Sequence, residues 1–378
     1  MTDWKVTLSE VDLLESDIEA VAETLRSGWL TMGPRTQELE AAFAEFIGAQ
    51  HAMAVASGGA ALHLACAALD LALGDEVIVP ALSFVADANA PVHCGATPVI
   101  ADSRSLASPN LDPADVERRI TARTKAVIAV HMFGYPADVD ALREICEPRG
   151  IAIIEDGCQA VGGRFADGAR LGTKGLAACF SFFSKTKLGA GEGGIITTDD
   201  DAVEASVRSL RSHAMTSVTW DRHRGHAETY DVPELGFNYR IDETRATLAL
   251  ARLGRLDDEL DALRGVVRGY RERLAGLDGV EVPFSDAEVE LSGHFAFPVL
   301  VADAERRDGV RERAHAAGVQ TTFYPALTQL TAFRRGADDG CPVAEEFASR
   351  HVALPLASRL DDAKLDLVVE TLGAALAA

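Results

Sequence analysis

The sequence contains 378 residues, a length that predicts two packed domains rather than one. It carries 36 Lys and Arg residues against 58 Asp and Glu residues, which gives a formal net charge of −22 at pH 7. A field of this sign repels phosphate backbones and anionic lipid, so composition argues against nucleic-acid or membrane binding as the main activity. A local basic pocket for an anionic substrate remains compatible with that charge.

The N-terminal region and the cysteines indicate the cellular compartment. Residues 1–23 are rich in acids and lack the basic region and apolar core of a signal peptide, and no apolar run is long enough to span a bilayer. The six cysteines are scattered and form no CxxC pair, which predicts free thiols rather than a disulfide frame or a zinc site. We therefore expect a cytoplasmic protein without a metal site.

Between about residues 50 and 200, short apolar segments alternate with helical ones. The predicted strands are 51–57, 76–80, 97–101, 126–130, 151–154, 177–183 and 194–198, and the predicted helices between them are 60–73, 86–94, 113–120 and 139–148. Such alternation is typical of an α/β fold with a largely parallel sheet covered on both faces. Ligand sites in these folds gather at the carboxyl ends of the strands.

After residue 240 the character of the sequence changes. Residues 242–273 are charged and Leu-periodic, which predicts one long helix that leaves one domain and enters another. A strand at 295–301, a helix at 304–317 and a short apolar run at 352–356 then predict a smaller α/β domain. We place the large domain at 1–245 and the small domain at 246–378, with the extreme N-terminus as a candidate to pack on the small domain.

Two segments that follow predicted strands carry candidate binding groups. Gly58 and Gly59 lie between a strand and a helix, where free amides bind phosphate and glycine allows close approach, although such glycines also serve purely steric roles. Glu155 and Asp156 close a buried apolar strand. A carboxylate at that position usually meets a cation or a polar loop, so Asp156 is either a cofactor contact or a helix N-cap.

A third segment, residues 179–194, carries two lysines and a glycine-rich loop after a strongly apolar strand. Desolvation at the edge of such a strand lowers the pKa of a lysine and makes it nucleophilic toward carbonyl groups. The alternative is a solvated turn in which Lys185 and Lys187 are ordinary surface lysines. A fourth segment, residues 236–240, precedes the change of domain.

Together these segments resemble the StrS/DegT-type aminotransferases, the sugar and cyclitol branch of the fold-type I pyridoxal-phosphate (PLP) enzymes. The resemblance runs almost end to end, with matching order and spacing. It rests on Ser27-Gly28-Trp29, Gly33, Leu39-Glu40 and the segments 74–80, 131–138, 191–194, 238–240, 324–325 and 354–356. It implies a large domain with a mostly parallel seven-stranded sheet and a smaller α/β C-terminal domain.

The resemblance also implies how the cofactor ring, as PLP or its aminated form PMP, would be held. Asp156 would lie under the pyridine nitrogen and keep it protonated, so that the ring can accept carbanion charge. Gln159 would lie beside the ring hydroxyl, and Phe84 would stack on the ring face.

The phosphate contacts implied by the family extend to a second subunit. Gly58 and Gly59 would donate backbone N–H bonds to the phosphate, and Ser181 would donate its hydroxyl. Asn238 would reach the phosphate of the neighbouring subunit, which implies a homodimer with shared active sites.

The sequence departs from the family pattern at two positions. The family usually has Thr at the position of Gly59, so one phosphate hydroxyl is missing. The Schiff-base lysine normally lies five residues after the serine matched by Ser181, and here that residue is Thr186, flanked by Lys185 and Lys187.

Three explanations of the threonine compete. A slip of one residue in the loop would bring Lys185 or Lys187 to the cofactor aldehyde. The lysine could instead be truly absent, as in the sugar 3-dehydratases of this family, which hold the cofactor non-covalently, or catalysis could be lost. We place Lys185 ahead of Lys187, because Ser-Lys-Thr resembles family loops in which a Lys-Thr pair carries the imine.

The resemblance therefore predicts a PLP-dependent aminotransferase whose substrate is a small molecule. An amino acid, with glutamate as the expected donor, would supply the amino group to a keto-sugar nucleotide or a keto-cyclitol. The alternatives are a cofactor-binding dehydratase without the imine lysine and a non-catalytic ligand-binding relative.

Overall fold

The computed structural model describes residues 4–217, 229–334 and 340–377. Its central element is a seven-stranded sheet with the strand order β1-β7-β6-β5-β4-β2-β3. The strands are β1 (His51–Val55), β2 (Glu76–Pro80), β3 (Thr97–Ala101), β4 (Thr124–Val130), β5 (Ala152–Asp156), β6 (Ala177–Ser181) and β7 (Gly194–Thr198). The predicted seven-stranded, mostly parallel sheet is confirmed.

The strand register gathers several strand ends at one edge of the sheet. Four neighbouring pairs among β2–β6 are parallel, whereas β7 is antiparallel to both β1 and β6. Gly194 at the start of β7 pairs with Val55 on one side and with Ser181 on the other. Asp156 pairs with Cys179 and with Val130. The carboxyl ends of β1, β4, β5 and β6 therefore share one edge.

Helices cover both faces of this sheet and form a second layer in the C-terminal part. In chain order they are α1 (Glu15–Ser27), α2 (Pro34–Ile47), α3 (Gly58–Ala67), α4 (Ala86–His93), α5 (Pro113–Arg119), α6 (Val139–Cys146), α7 (Asp201–Leu210), α8 (Glu243–Leu253), α9 (Leu256–Leu274), α10 (Asp286–Leu291), α11 (Ala304–Ala316), α12 (Pro342–Arg350) and α13 (Asp362–Ala377). Short 3₁₀ turns lie at Met132–Gly134, Glu147–Arg149 and Leu327–Gln329.

Strand β6 shows how the two faces are built. Its alternate residues Ala178 and Phe180 join the apolar cluster that contains Phe43 of α2, because neighbouring side chains of a strand point to opposite faces. Ala177 and Cys179 join the cluster on the other face, which includes the apolar residues of α3. Helix α3 lies within this core, since nearly all of its side chains are buried.

The C-terminal part has its own three-stranded antiparallel sheet. Its strand order is β10-β9-β8, from β8 (Val280–Glu281), β9 (Phe297–Val301) and β10 (His351–Leu354). The N-terminal segment packs here, because Val6 bridges Val319 and the amide of Leu356 donates to the carbonyl of Leu8 at 2.9 Å. The domain division at 245/246 stays a prediction, and residue 246 lies within α8.

The single long helix predicted at 242–273 is wrong, because the structure forms α8 and α9 with a break at Gly254. Helix α8 packs against α1 and α2, whereas α9 packs against α13, so the chain must turn between two layers. Glycine weakens the helix at that position. The predicted strand 177–183 also ends earlier, at Ser181.

Two properties of the described part of the chain bear on what its sequence predicts. None of its helices is long and apolar enough to cross a membrane. Residues 4–217, 229–334 and 340–377 contain no group of three or more His, Cys, Asp or Glu side chains placed to hold a metal ion. All six cysteines lie in these residues as free thiols.

Candidate active site

The predicted phosphate-binding residues meet where β1 and β6 end. Ser57 precedes α3, and its hydroxyl accepts the amide of Ala60 at 3.1 Å, which fixes the start of the helix. A Cβ atom on Gly58 would lie 2.9 Å from both Cys158 Sγ and Ser181 Cβ. Real contacts are never that short, so only glycine lets the helix start approach Ser181 this closely.

This arrangement fits a phosphate group. The amides of Gly58 and Gly59 lie in the first turn of α3, where helical amides have no partner four residues back. The Ser181 hydroxyl oxygen accepts the amide of Phe183 at 3.1 Å, so its proton remains available for donation. Amides at a helix N-terminus together with a hydroxyl donor form a preferred environment for an anion.

Asp156, at the end of β5, lies buried beside this turn. Its Oδ1 accepts the amide of Cys158 at 2.7 Å, which is the local, cap-like role that the sequence left open. A carboxylate can accept about four hydrogen bonds, so Asp156 keeps the capacity to accept one from a protonated ring nitrogen. The local bond and the cofactor contact are therefore compatible.

The sequence reasoning missed a second acid at this position. Asp87 of α4 is fully buried, accepts a short hydrogen bond from the Ser83 hydroxyl and contacts the Asp156 carboxyl. Burial and the neighbouring Asp156 raise the pKa of Asp87 well above its ordinary value. The available signal was the one acidic residue of α4, which lies in the first turn of the helix.

Glu155 has a separate, structural role. Its fully buried carboxylate accepts the amides of Gly172, Lys174 and Gly175 at 2.8, 2.7 and 2.6 Å, and it is 2.9 Å from Nε2 of His131. Burial alone would raise the pKa of Glu155, but the hydrogen bonds from His131 and the amides lower it overall. Because Nδ1 of His131 accepts the amide of Ala137 at 3.0 Å, Nε2 carries the proton and donates to Glu155.

Gln159 links the sheet edge that carries the predicted cofactor-binding residues to the C-terminal part of the chain. Its Oε1 accepts the amide of Phe133 at 2.8 Å, and the carbonyl of Phe133 accepts the amide of Phe295 at 3.0 Å. With Oε1 engaged, the NH₂ group of Gln159 is its remaining donor. The ring of Phe133 also contacts that of Tyr324, with centroids 5.6 Å apart.

Phe84 and Asn238 have accessible side chains. Phe84 follows β2 and is 64% exposed, which leaves its ring free to stack on a ligand. Asn238 is exposed, and its backbone bridges Ser212. The next residue, Tyr239, accepts the amide of Ala56 at 2.7 Å, so Asn238 lies beside the turn that leads into α3.

The loop after β6 separates the two candidate lysines. The amide of Thr186 donates to the carbonyl of Phe183 at 2.8 Å, so this stretch is a turn and strand alternation does not continue through it. The Thr186 hydroxyl lies 2.7 and 2.8 Å from the carbonyl oxygens of Ser181 and Phe183, to which it donates. Its proton is thereby committed to the backbone.

Lys185 and Lys187 consequently have different surroundings. Lys185 is exposed and lines a crevice with Phe295, Tyr324 and other residues of the N- and C-terminal segments. Lys187 is buried, and burial lowers its pKa to about 8, with Glu259 opposing and Arg252 reinforcing the shift. The roles of these lysines, like those of the other predicted site residues, stay predictions.

Comparison with known proteins identifies relatives over the whole chain. A sequence model described as the DegT/DnrJ/EryC1/StrS aminotransferase family matches residues 11–373. The GDP-perosamine synthase of Caulobacter vibrioides is 35% identical over 376 residues, which cover 97% of this chain and 97% of that protein.

Solved structures agree with this match. The aminotransferase TlmJ of Streptoalloteichus hindustanus superposes with a TM-score of 0.91 at 31% identity, covering 98% of this chain and 99% of that one. The PLP form of the putative sugar aminotransferase Spr1654 of Streptococcus pneumoniae gives a TM-score of 0.91 at 27% identity, covering 98% of each chain.

Proposed function

Since the chain belongs to the DegT/DnrJ/EryC1/StrS aminotransferase family, we propose that it transfers an amino group from glutamate to a keto-sugar nucleotide or a keto-cyclitol. Pyridoxal phosphate is the cofactor of this family fold. The observation that carries the proposal is the single sheet edge at which the first turn of α3, Ser181 and Asp156 meet. The name of the Caulobacter relative supports a nucleotide sugar as the acceptor.

The residues at this edge match the parts of the cofactor. The amides of Gly58 and Gly59 and the hydroxyl of Ser181 bind the phosphate, and Asp156 holds a proton on the pyridine nitrogen. When bound, the cofactor supplies an electron-accepting ring.

The remaining ring contacts fix its orientation. The NH₂ group of Gln159 donates to the ring hydroxyl, and Phe84 covers one face of the ring and excludes water from it. Gln159 is hydrogen-bonded to Phe133, which is hydrogen-bonded to Phe295. These bonds link the residue that contacts the cofactor ring to the crevice that Lys185 lines.

We assign the proton transfer to Lys185. Its side-chain amine accepts the proton from the α-carbon of the donor and later returns one to the product. Its exposed side chain lines a crevice between the loop after β6 and the C-terminal residues. Lys187 is a weaker candidate because its ammonium group is surrounded by Arg252 and Glu259 of α8 and α9. The phosphate-binding residues belong to the opposite face of the sheet, which carries α3.

The active unit is proposed to be a homodimer in which Asn238 binds the phosphate in the neighbouring subunit. The exposed side chain of Asn238 beside the turn into α3 supports this assignment. A closed two-fold dimer would place each Asn238 at the partner's site.

Borohydride trapping tests the lysine assignment. Reduction of the holoenzyme fixes the cofactor on the amine that it contacts, and peptide mass analysis then locates it. We expect the added mass on Lys185, its loss in Lys185→Ala and its retention in the matched variant Lys187→Ala. The reverse pattern would assign the role to Lys187.

The same experiment distinguishes the alternative function. If borohydride traps no cofactor on either lysine of the wild type, the protein binds the cofactor non-covalently. The hypothesis of a dehydratase without the imine lysine then replaces that of an aminotransferase. Thr186→Lys would then be expected to create a trapped adduct. Glutamate-dependent amination of the keto substrate, measured in parallel, decides between the two activities.

A further inference from the structure

Asp87 has an environment that its position alone does not explain. It lies in the first turn of α4, and its side chain has no exposed surface. The Ser83 hydroxyl donates to Oδ2, while Oδ1 has no donor among the described residues. A buried carboxylate oxygen without a donor is costly, so this group requires a partner.

The partner within reach is the carboxyl of Asp156, which contacts that of Asp87. Two carboxylates in contact repel each other unless a proton lies between them, and a proton would also satisfy the unpartnered oxygen. The strongest interactions of Asp87 are with Asp156 and Ser83, and neither is a cation.

Within the described part of the chain, the other titratable groups that interact with Asp87 are thiols on three elements. They are Cys66 of α3, Cys179 of β6 and Cys158 in the loop after β5. Burial raises the pKa of all three thiols, so they remain neutral and supply no compensating charge. A proton carried by Asp87 would satisfy both its unpartnered Oδ1 and its contact with the Asp156 carboxyl.

We propose that Asp87 is a positioning residue that, in its protonated form, donates to the Asp156 carboxyl and orients it toward the pyridine nitrogen. We take Asp156 as the acceptor of the pair because its Oδ1 already accepts the amide of Cys158 at 2.7 Å. The contact between Asp156 and the ring nitrogen rests on the proposed function. The pairing of Asp87 with Asp156 does not, because it is present in the protein without cofactor.

The acid pair has a defined pH signature. The pKa of Asp87 is raised in the folded protein above its ordinary value of 3.8, so folding retains a proton that the unfolded chain releases. Its contribution to stability is fully present below 3.8 and is lost as pH rises toward the folded pKa. Over that window the unfolding equilibrium constant rises by up to about tenfold per pH unit.

Denaturation of the cofactor-free protein between pH 5 and 9 tests the pair directly. The wild type is expected to lose stability with rising pH relative to Asp87→Asn, whose amide donates to Asp156 but cannot release a proton. The matched control is Asp115→Asn, which removes a buried carboxylate that is ion-paired with Arg118 and Arg119. In Asp115→Asn the free energy of unfolding should differ from that of the wild type by a similar amount at every pH, so its dependence on pH should stay that of the wild type. Parallel profiles for the wild type and Asp87→Asn overturn the inference.

Equilibrium binding of pyridoxal phosphate tests the link to the cofactor. At pH 7 we expect Asp87→Asn to bind about tenfold more tightly than Asp87→Ala, because only the amide replaces the donated hydrogen bond. Equal losses in the two variants overturn the inference, since they would show that the donor is irrelevant. Asp156→Ala tests the proposed function separately: unchanged affinity there would remove Asp156 from the ring contact, whatever the profiles of the cofactor-free protein show.

Discussion

Two adjacent acids at the end of β5 show how strongly a side chain's chemistry depends on which face of the strand carries it. Glu155 and Asp156 point to opposite faces, because successive residues of a strand alternate. Glu155 meets three amides and His131. Asp156 meets one amide and the carboxyl of Asp87. The first is a structural anion, and the second is the carboxyl that the proposed function assigns to the ring nitrogen.

Replacing the structural anion should lower stability and acid sensitivity together. Glu155→Gln removes a charge that accepts four hydrogen bonds, and we expect a loss of about 2–4 kcal/mol in the free energy of unfolding. The folded pKa of Glu155 lies below its ordinary value of 4.5, so its contribution is present above 4.5 and is lost as pH falls. Urea denaturation at pH 7 and at pH 4 measures both effects.

The exposed residue Glu144 of α6 provides the control, and Glu144→Gln should change stability by no more than about 0.5 kcal/mol. Wild-type stability and wild-type acid sensitivity in Glu155→Gln would contradict the structural role of this carboxylate.

At the scale of elements, the start of α3 depends on a close approach between a helix and a strand. Gly58 leaves no room for a side chain against Cys158 and Ser181, whereas Gly59 has nothing nearer than Ser57 Oγ at 3.9 Å. Two neighbouring glycines of one helix turn therefore provide a matched pair of positions.

Gly58→Ala should weaken pyridoxal-phosphate binding at least tenfold. The added methyl group forces Ser181 or the helix start to move, and such overpacking costs about 1–3 kcal/mol of stability. Gly59→Ala should leave both quantities near those of the wild type. Isothermal titration and thermal unfolding measure them, and comparable losses in the two variants would show that close packing does not shape this site.

A second element-scale feature is the contact between α8 and the start of α2. Glu243, the first residue of α8, accepts the amides of Gly33, Arg35 and Thr36 at 2.8, 2.8 and 2.9 Å, and the Thr36 hydroxyl at 2.6 Å. It caps a helix more than 200 positions earlier in the chain, so the two helices are stabilised as one unit.

At the scale of the whole molecule, the proposed dimer joins residues of two chains in each site. Mixing two inactive variants, Asp156→Ala and Asn238→Ala, would produce heterodimers with one site that carries both native residues and one that carries neither. We expect cofactor binding and activity to reappear on mixing, because the first site is complete. Activity of the separate homodimers and of the refolded mixture measures this rescue.

The absence of rescue, together with a heterodimer detected by mass, would place Asn238 in the site of its own chain. A fully active monomer in sedimentation would contradict the shared site altogether.

The parallel sheet and the family were predictable from the amino-acid sequence alone. Apolar strands alternating with helices predicted a largely parallel sheet, and the family resemblance implied that it has seven strands. Glycines, acids and lysines after strand ends marked the edge at which residues 58, 156 and 181 meet. These features are local, since turn chemistry and hydrophobic period are encoded in neighbouring residues.

The remaining features were not predictable from the sequence, because they depend on contacts between segments that are distant in the chain. The break at Gly254 follows from packing α8 and α9 on different layers, although the Leu period continues through it. Lys185 and Lys187 differ because a turn sends one toward the C-terminal crevice and buries the other against α8 and α9. Asp87 and Asp156 are 69 positions apart, and only the packing of α4 against α3, β2 and β3 brings Asp87 to the Asp156 carboxyl at the end of β5.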